Sequence, residues 1–256
     1  MTEKIIELLE QKKFGELRRL LEEVNPIDLA SVFDEIKPEY RSLLFRLLPK
    51  ELAAETFVEL DVDMQETLIT SFSDTELKAV VDELYLDDAV DIIEEMPANV
   101  VKRILRQSDP NTRRAINELL KYPKDSAGSL MTPEFIDLKR DMTVEDAFKH
   151  IRKTGLDKET VYTCYVIDKN RKLQGIVTVK DLLLADSDEK IGDIMETNVI
   201  YAGTLDDKED VARLFNKYDF VVVPVVDKEN RLVGIVTFDD AIDVIEEILA
   251  SGGEFS

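Results

Sequence analysis

The sequence holds one histidine and one cysteine in 256 residues, and up to Tyr122 its only glycine is Gly15. Each scarcity closes off a class of chemistry. With Cys164 alone, no disulfide can form within one chain, which points to a reducing compartment. Its place in the apolar run 161–167 reads most simply as a core position. His150 lies between Lys149 and Ile151 on a helical surface pattern and reads as a packed or solvated residue. No Ser/His/Asp or Cys/His set can be assembled around it, and no Walker-type glycine loop exists. Carboxylates are plentiful enough for a hydrolase pair, but no pocket signature accompanies them. The chain is therefore expected not to be an enzyme.

Long apolar runs are missing as well. Nowhere do the roughly 18 to 20 apolar residues occur that a membrane-crossing helix needs. The opening MTEKIIELLEQKKFGEL is amphipathic and charged, unlike a signal peptide. The protein as given is expected to be soluble, with any membrane part left off. Positive charge is scarce too: 33 basic residues face 55 acidic ones, a net charge of −22. Such a surface repels phosphate backbones and anionic headgroups, which argues against nucleic acid and against direct lipid binding. It attracts cations, and carboxylate oxygens are the hard ligands that Mg²⁺ and Ca²⁺ prefer. The same charge also serves plain solubility.

What is present falls into two halves. With 44% apolar residues the chain can build one large core or two to three small ones. Up to Tyr122 apolar residues recur at three- and four-residue spacings, as in short amphipathic helices. Helix-start signals recur about every 12 residues: Asn25-Pro26, Lys37-Pro38, Pro49, Asp61, Ser73-Asp74, Asp87-Asp88, Pro97 and Asp109-Pro110. Every second mark gives a unit of about 24 residues, a helical-repeat signature that predicts a superhelical solenoid.

From Pro123 the pattern changes to two similar copies. Residues 165–181 (YVIDKNRKLQGIVTVKD) and 225–240 (VVDKENRLVGIVTFDD) both read as strand, Asp/Asn turn, strand, helix start. Met131-Thr132-Pro133 and Met195-Glu196-Thr197 open the copies. Helices are expected over 144–153 and 208–217.

The Met-Thr-Pro opening and the repeated Gly-Ile-Val-Thr-x-x-Asp ending resemble a tandem pair of CBS domains. The helical solenoid, the junction 125–133 (DSAGSLMTP), the CBS pair and the acidic end together resemble the cytoplasmic portion of MgtE magnesium channels, over essentially the whole chain. The fold class implied is α + α/β: a superhelical solenoid of short helices over 1–125, then CBS copies over 126–190 and 191–250. Residues 251–256 read as a tail toward a missing connecting helix and membrane part, or as a truncation end or expression scar.

The resemblance further implies a homodimer formed through the CBS domains, and a transmembrane domain of the same protein as partner. It implies a place on the cytoplasmic side of the membrane, and Mg²⁺ bridging the helical domain to the CBS pair so that the pore stays closed. Residue by residue, Asp87 and Asp91 match the helical domain's bridging carboxylates, with Asp88 beside them, and Asp240 matches their partner, with Asp239 beside it. Glu55 matches a ligand that meets Asp219, with Asn216 nearby. Ser129 stands where the family has a glycine that ligates through its carbonyl. Asp243, Glu246 and Glu247 are candidates for the seam toward the connecting helix, where the family's acidic spacing is not reproduced well.

Three other readings stay open. Asp87, Asp88, Asp239 and Asp240 also fit the role of helix N-caps, which a ligating carboxylate can combine with metal binding. CBS pairs also hold adenine nucleotides: Asp181 and Asp240 occupy the positions of the ribose-binding Asp, and Phe220 is a candidate base-stacking residue. Against ATP, Lys180 stands where that pattern has an arginine and Thr163 where it has an aromatic residue. A passive scaffold, with the charge serving solubility alone, is the third alternative.

Overall fold

The computed structural model describes residues 1–250, so the reading of 251–256 lies outside the described residues. The chain divides into two compact units. One comprises Met1–Leu84 with Asp88–Ile116, the other Tyr85–Asp87 with the chain from Asn117 onward.

The first unit is built from α1 (Thr2–Glu10), α2 (Phe14–Leu21), α3 (Pro26–Glu35), α4 (Pro38–Leu47), α5 (Lys50–Val58), α6 (Val62–Ser71), α7 (Asp74–Val81), most of α8 (Leu86–Glu95), α9 (Ala98–Gln107) and most of α10 (Pro110–Leu119), the first two residues of α8 and the last three of α10 belonging to the second. The expected start signals operate. Pro26 and Pro38 occupy first positions, where a missing N–H costs nothing. Asn25 Oδ1 accepts from the Ile27 amide at 3.0 Å, and Asp61 Oδ1 from the Met64 amide at 2.7 Å. Ser73 and Glu76 form a reciprocal capping box, which Arg46 supports with a 2.6 Å hydrogen bond from Nε to Glu76. The Arg46 bond and the Ser73 bonds hold the Glu76 carboxyl down at about 2.

One start differs. Helix α8 begins at Leu86, which puts Asp87 and Asp88 inside the first turn rather than at the N-cap. There they still favour the positive end of the helix dipole.

Alternate helices stack, α3 on α5, α5 on α7 and α7 on α9, as a unit of two helices requires. Between them Phe33, Phe45, Phe57 and Phe72 form a buried aromatic cluster centred on Phe45, with ring centroids 5.1 to 6.2 Å from it. Each such burial stabilises by roughly 1.5–3 kcal/mol.

The second unit contains α11 (Ala127–Leu130), β1 (Ile136–Leu138), α12 (Val144–Thr154), β2 (Thr163–Ile167), β3 (Leu173–Thr178), α13 (Val179–Leu184), α14 (Ile191–Ile194), β4 (Ala202–Gly203), α15 (Lys208–Tyr218), β5 (Val222–Val226), β6 (Leu232–Thr237) and α16 (Phe238–Ala250). The duplication is visible in the topology. Sheet β1-β2-β3 and sheet β4-β5-β6 each have a parallel pair followed by an antiparallel hairpin. The hairpin turns are equivalent: Asp168 Oδ1 accepts from the Asn170 and Lys172 amides, and Asp227 Oδ1 from those of Glu229 and Arg231. Arg171 and Asn230 take the left-handed position in each.

Strand β2 is buried on both faces. Cys164 and Val166 join the core of the first copy, while Tyr165 and Ile167 face a second cluster with Phe135, Leu232 and Ile235. Cys164 is fully buried, and burial pushes its thiol up to about 12, as befits a core residue.

The two opening segments are exchanged. Thr132, from the opening of the first copy, pairs with Ile235 in β6 of the second through N–H···O bonds of 2.8 and 2.9 Å. Glu196, from the opening of the second copy, pairs with Ile176 in β3 of the first through two bonds of 2.9 Å. Sequence reading marked these segments as copy openings without assigning them to the other copy's sheet. The exchange explains the glycine of each Gly-Ile-Val-Thr run. A Cβ on Gly234 would stand 2.6 Å from Met131 Sδ and 2.9 Å from the Thr132 carbonyl oxygen, and one on Gly175 would stand 2.7 Å from the Glu196 carbonyl oxygen. It also explains how Pro224 sits mid-strand in β5. Its partner Ile235 sends both backbone groups to Thr132, so β6 loses no ladder bond.

Gly234→Ala and, separately, Gly175→Ala are therefore expected to destabilise the CBS pair by about 1–3 kcal/mol through overpacking. Urea unfolding followed by tyrosine circular dichroism measures this. Midpoints unchanged in both variants would mean that the exchanged segments do not press on the glycines.

Candidate functional site

The carboxylates divide by what their own backbone does with them. Asp240 and Asp181, at equivalent positions after β6 and β3, occupy the third position of α16 and α13. The Thr237 hydroxyl donates to Asp240 Oδ2 at 2.6 Å and the Thr178 hydroxyl to Asp181 Oδ2 at 2.5 Å. The Thr178 amide also reaches Asp181 Oδ2, at 2.9 Å. The reading of Asp239 and Asp240 as N-caps is thus corrected. The cap residue is the threonine, because the Thr-x-x-Asp spacing makes Asp the reciprocal partner of a capping box. Asp239 follows Phe238 in the exposed first turn of α16.

Asp243 lies one turn further on. Burial first, and then the charges of Glu246, Asp239 and Glu247, push its carboxyl above the usual range. Capping carboxylates elsewhere go the other way. Asp109 is held low chiefly by the Thr112 hydroxyl, and Asp146 chiefly by that of Thr143. Asp239, Asp243, Glu246 and Glu247 therefore form one face of crowded negative charge on α16, spaced four, three and one residues apart. Glu247 also accepts from Lys208 Nζ at 2.7 Å.

A second convergence was not legible in the sequence. In the second unit Asp87, Glu134 and Glu159, all half-buried, each offer a carboxylate oxygen within 4.8 Å of the others. The Leu86 amide donates to Glu134 Oε2 at 3.4 Å, and the Glu159 amide to the Glu134 carbonyl at 2.9 Å. Unit charges about 4 Å apart repel by roughly 1 kcal/mol in water and about 4 kcal/mol at an effective dielectric of 20. A small divalent ion reverses that sign, and three carboxylates form an oxygen set suited to Mg²⁺ or Ca²⁺. Asp87 was the sequence-predicted member. Glu134 and Glu159 come from distant loop segments without a local motif, and only the fold brings them together.

The other expected ligands have these places. Glu55 is exposed on α5, and Asp88 and Asp91 lie on α8, half-buried and exposed respectively. Asn216 and Asp219 are exposed at the end of α15, where Asp219 is the C-cap in the left-handed conformation, at φ 53° and ψ 40°. Ser129, in α11, uses its hydroxyl locally, donating to the Ser126 carbonyl at 2.9 Å.

Of the nucleotide candidates, Lys180 and Asp181 are exposed and Thr163 is half-buried at the start of β2. Phe220 already stacks on Tyr218, with centroids 5.3 Å apart and planes at 24°. His150 is half-buried on α12. An open cavity of about 240 Å³ in the helical unit has Phe45, Leu48, Phe72 and Val80 among its walls and the Arg46–Glu76 pair beside them, with no set of metal ligands.

A duplicated sheet-and-helix pair with exchanged openings, preceded in the chain by a row of stacked helices and carrying acidic clusters, defines a CBS-pair protein with a helical companion domain. Comparison with known proteins agrees. Residues 24–125 match the MgtE intracellular N domain, and residues 127–188 and 191–247 match the CBS domain. The magnesium transporter MgtE of Thermus thermophilus is 41% identical over 244 residues, which is 94% of this chain and 54% of that protein. That of Bacillus subtilis is 32% identical over 261 residues, 99% of this chain and 58% of that protein. A crystal structure of the cytosolic domain of the Mg²⁺ channel MgtE in complex with ATP superposes with a TM-score of 0.91 at 39% identity. The match covers 95% of this chain and all of that one. The soluble part of a magnesium transporter gives 0.89 at 29% identity, covering 96% and 97%.

The chain belongs to the MgtE family of magnesium transporters, of whose intracellular portion it has both the helical N domain and the CBS pair. It spans a little over half the length of the curated relatives it matches. Among the described residues no helix is long and apolar enough to cross a membrane.

The sign of the Asp243 shift yields a prediction. A carboxyl raised in the folded chain penalises folding while ionised, and the penalty fades as pH falls through its folded value toward the ordinary 3.8. Asp243→Asn is expected to raise the melting temperature of the CBS pair at pH 7, with the advantage over the parent shrinking as pH approaches 4. Calorimetry across that range measures it. A variant less stable than the parent at pH 7 would contradict the repulsion.

Proposed function

We propose that this chain is the Mg²⁺-sensing regulatory region of a magnesium channel, lying on the cytoplasmic side of the membrane and coupled to a transmembrane domain of the same protein. Mg²⁺ held by carboxylates of the helical domain and the CBS pair stabilises the state in which the pore is closed, and its release permits opening. The observation that carries the reading is the convergence of Asp87, Glu134 and Glu159 from three separate segments within 4.8 Å. It stands in a family whose characterised members are magnesium transporters.

The physical logic is linkage. An ion that binds the compact arrangement in preference to the open one stabilises the compact one by mass action. Mg²⁺ dehydrates reluctantly and keeps several waters, so a site of few protein ligands releases the ion when its concentration falls. Asp87, Asp88, Asp91 and Glu55 are the proposed ligands from the helices. Asp239, Asp240, Asp219, Asn216 and the Ser129 carbonyl are those from the CBS side, and Asp243, Glu246 and Glu247 line the seam toward the pore.

Self-association of two chains through the CBS copies belongs to the same proposal. Leu156, Leu183 and Leu184 are 92%, 69% and 77% exposed, large apolar side chains that a second copy could cover.

A second reading is a nucleotide sensor, favoured by one observation: the solved relative at 39% identity is a complex with ATP. Asp181 keeps one oxygen outside its capping box, and Lys180 is an exposed point charge beside it. ATP and Mg²⁺ can act on one chain through different residues.

Thermal unfolding tests the proposal. Millimolar Mg²⁺ is expected to raise the melting temperature beyond NaCl of equal ionic strength. Glu134→Gln and Glu159→Gln are each expected to raise the half-effective Mg²⁺ concentration about fivefold or more, since one unit charge at about 4 Å is worth about 1 kcal/mol even in water. Stabilisation by plain salt equal to that by Mg²⁺ would leave only screening. Stabilisation by ATP alone, lost in Lys180→Met, would favour the nucleotide reading.

A further inference from the structure

The junction between the helical domain and the CBS pair is unusually well tied to the second copy. The Asp125 carbonyl accepts from the Lys208 amide at 2.9 Å, Ser126 bridges to Asp207, the Ala127 amide donates to the Asp206 carbonyl at 2.8 Å, and the Gly128 amide to the Thr204 carbonyl at 3.0 Å. Gly128 has no room for a Cβ, which would stand 2.5 Å from the Tyr122 ring. Asp125 itself takes the left-handed conformation at φ 62°, the price of turning the chain into this contact.

The side chain of Lys208 extends the contact. Its Nζ lies 2.9 Å from Asp125 Oδ1 and 2.7 Å from Glu247 Oε2. The Lys208 side chain is 21% exposed, whereas the two carboxylates are 67% and 64% exposed. One half-buried cation thus holds the segment through which the chain enters the CBS pair and the last turns of α16, through which it leaves.

We infer that Lys208 is a positioning residue that couples the entry segment at Asp125 to the exit helix α16 through Glu247, so that a displacement of either is felt by the other. The geometry resembles what a bridging divalent ion does, but the cation is covalently attached and always present. It engages Glu247 Oε2, so an ion added at the α16 face would compete with Lys208 for that carboxylate. The tie itself stands on the contacts above. Its part in transmitting a Mg²⁺ signal toward a pore rests on the proposed function.

Hydrogen–deuterium exchange on the 256-residue chain at low ionic strength tests the coupling. Asp125→Asn is expected to raise exchange in the C-terminal turns of α16, which Asn at 125 no longer reaches through Lys208. Glu247→Gln is expected to raise exchange at 126–128. Each cross-effect is about three- to fivefold, the size that partly exposed ion pairs support. Both effects should vanish in a Lys208→Met background and largely persist with Lys208→Arg. If each carboxylate variant disturbs only its own segment, or neither disturbs anything, the coupling is overturned. The two carboxylate variants decide the matter even if Lys208→Met fails to fold. Should the cross-effects appear while Mg²⁺ leaves every peptide unchanged, the tie stands and the sensing reading falls.

Discussion

With 55 acidic side chains against 33 basic ones, the chain folds against its own charge, and the placement of carboxylates decides what each part does. Many are absorbed locally. Asp61, Glu76, Asp109, Asp146, Asp168 and Asp227 accept backbone amides at helix starts and hairpin turns. Others are absorbed by ion pairs, Lys208 between Asp125 and Glu247 above all. Carboxylates also gather at two places: the α16 face around Asp243, whose carboxyl burial and then neighbouring charges raise, and the convergence of Asp87, Glu134 and Glu159. These are the points that the proposed function assigns to an added cation, whose charge opposes that of the gathered carboxylates.

The exchange of opening segments gives that charge a rigid frame. Each CBS copy is completed by a strand-like piece of the other, pressed against a glycine that admits nothing larger. The pair is thereby one cooperative body instead of two, and its entry segment and exit helix meet at the same lysine. Under the proposed function, a ligand that shifts one end of such a body would act on the other.

Much of this was legible in the residues. The 12-residue punctuation of Asn-Pro, Lys-Pro and Ser-Asp marks helix starts because capping and proline act locally, and the structure has helices there. The duplication was legible because the same Asp turn and the same Gly-Ile-Val-Thr run recur, and the two sheets share one topology. The exchange was not legible, since Met131-Thr132-Pro133 carries no sign of which sheet it will join. Glu134 and Glu159 were hidden for the same reason: a site assembled from loops far apart has no spacing to read. The Thr-x-x-Asp capping boxes at Asp181 and Asp240 could have been read, and taking Asp240 for the cap misplaced a role that the spacing assigns to Thr237.

The central claim is that a divalent cation and the folded carboxylates stabilise one compact arrangement of this chain. Small-angle scattering of the 256-residue protein tests it most directly, recorded with Mg²⁺ and with chelator at matched ionic strength. A smaller radius of gyration with Mg²⁺, reversed by the chelator, is the predicted result. Superimposable curves under the two conditions would contradict the account.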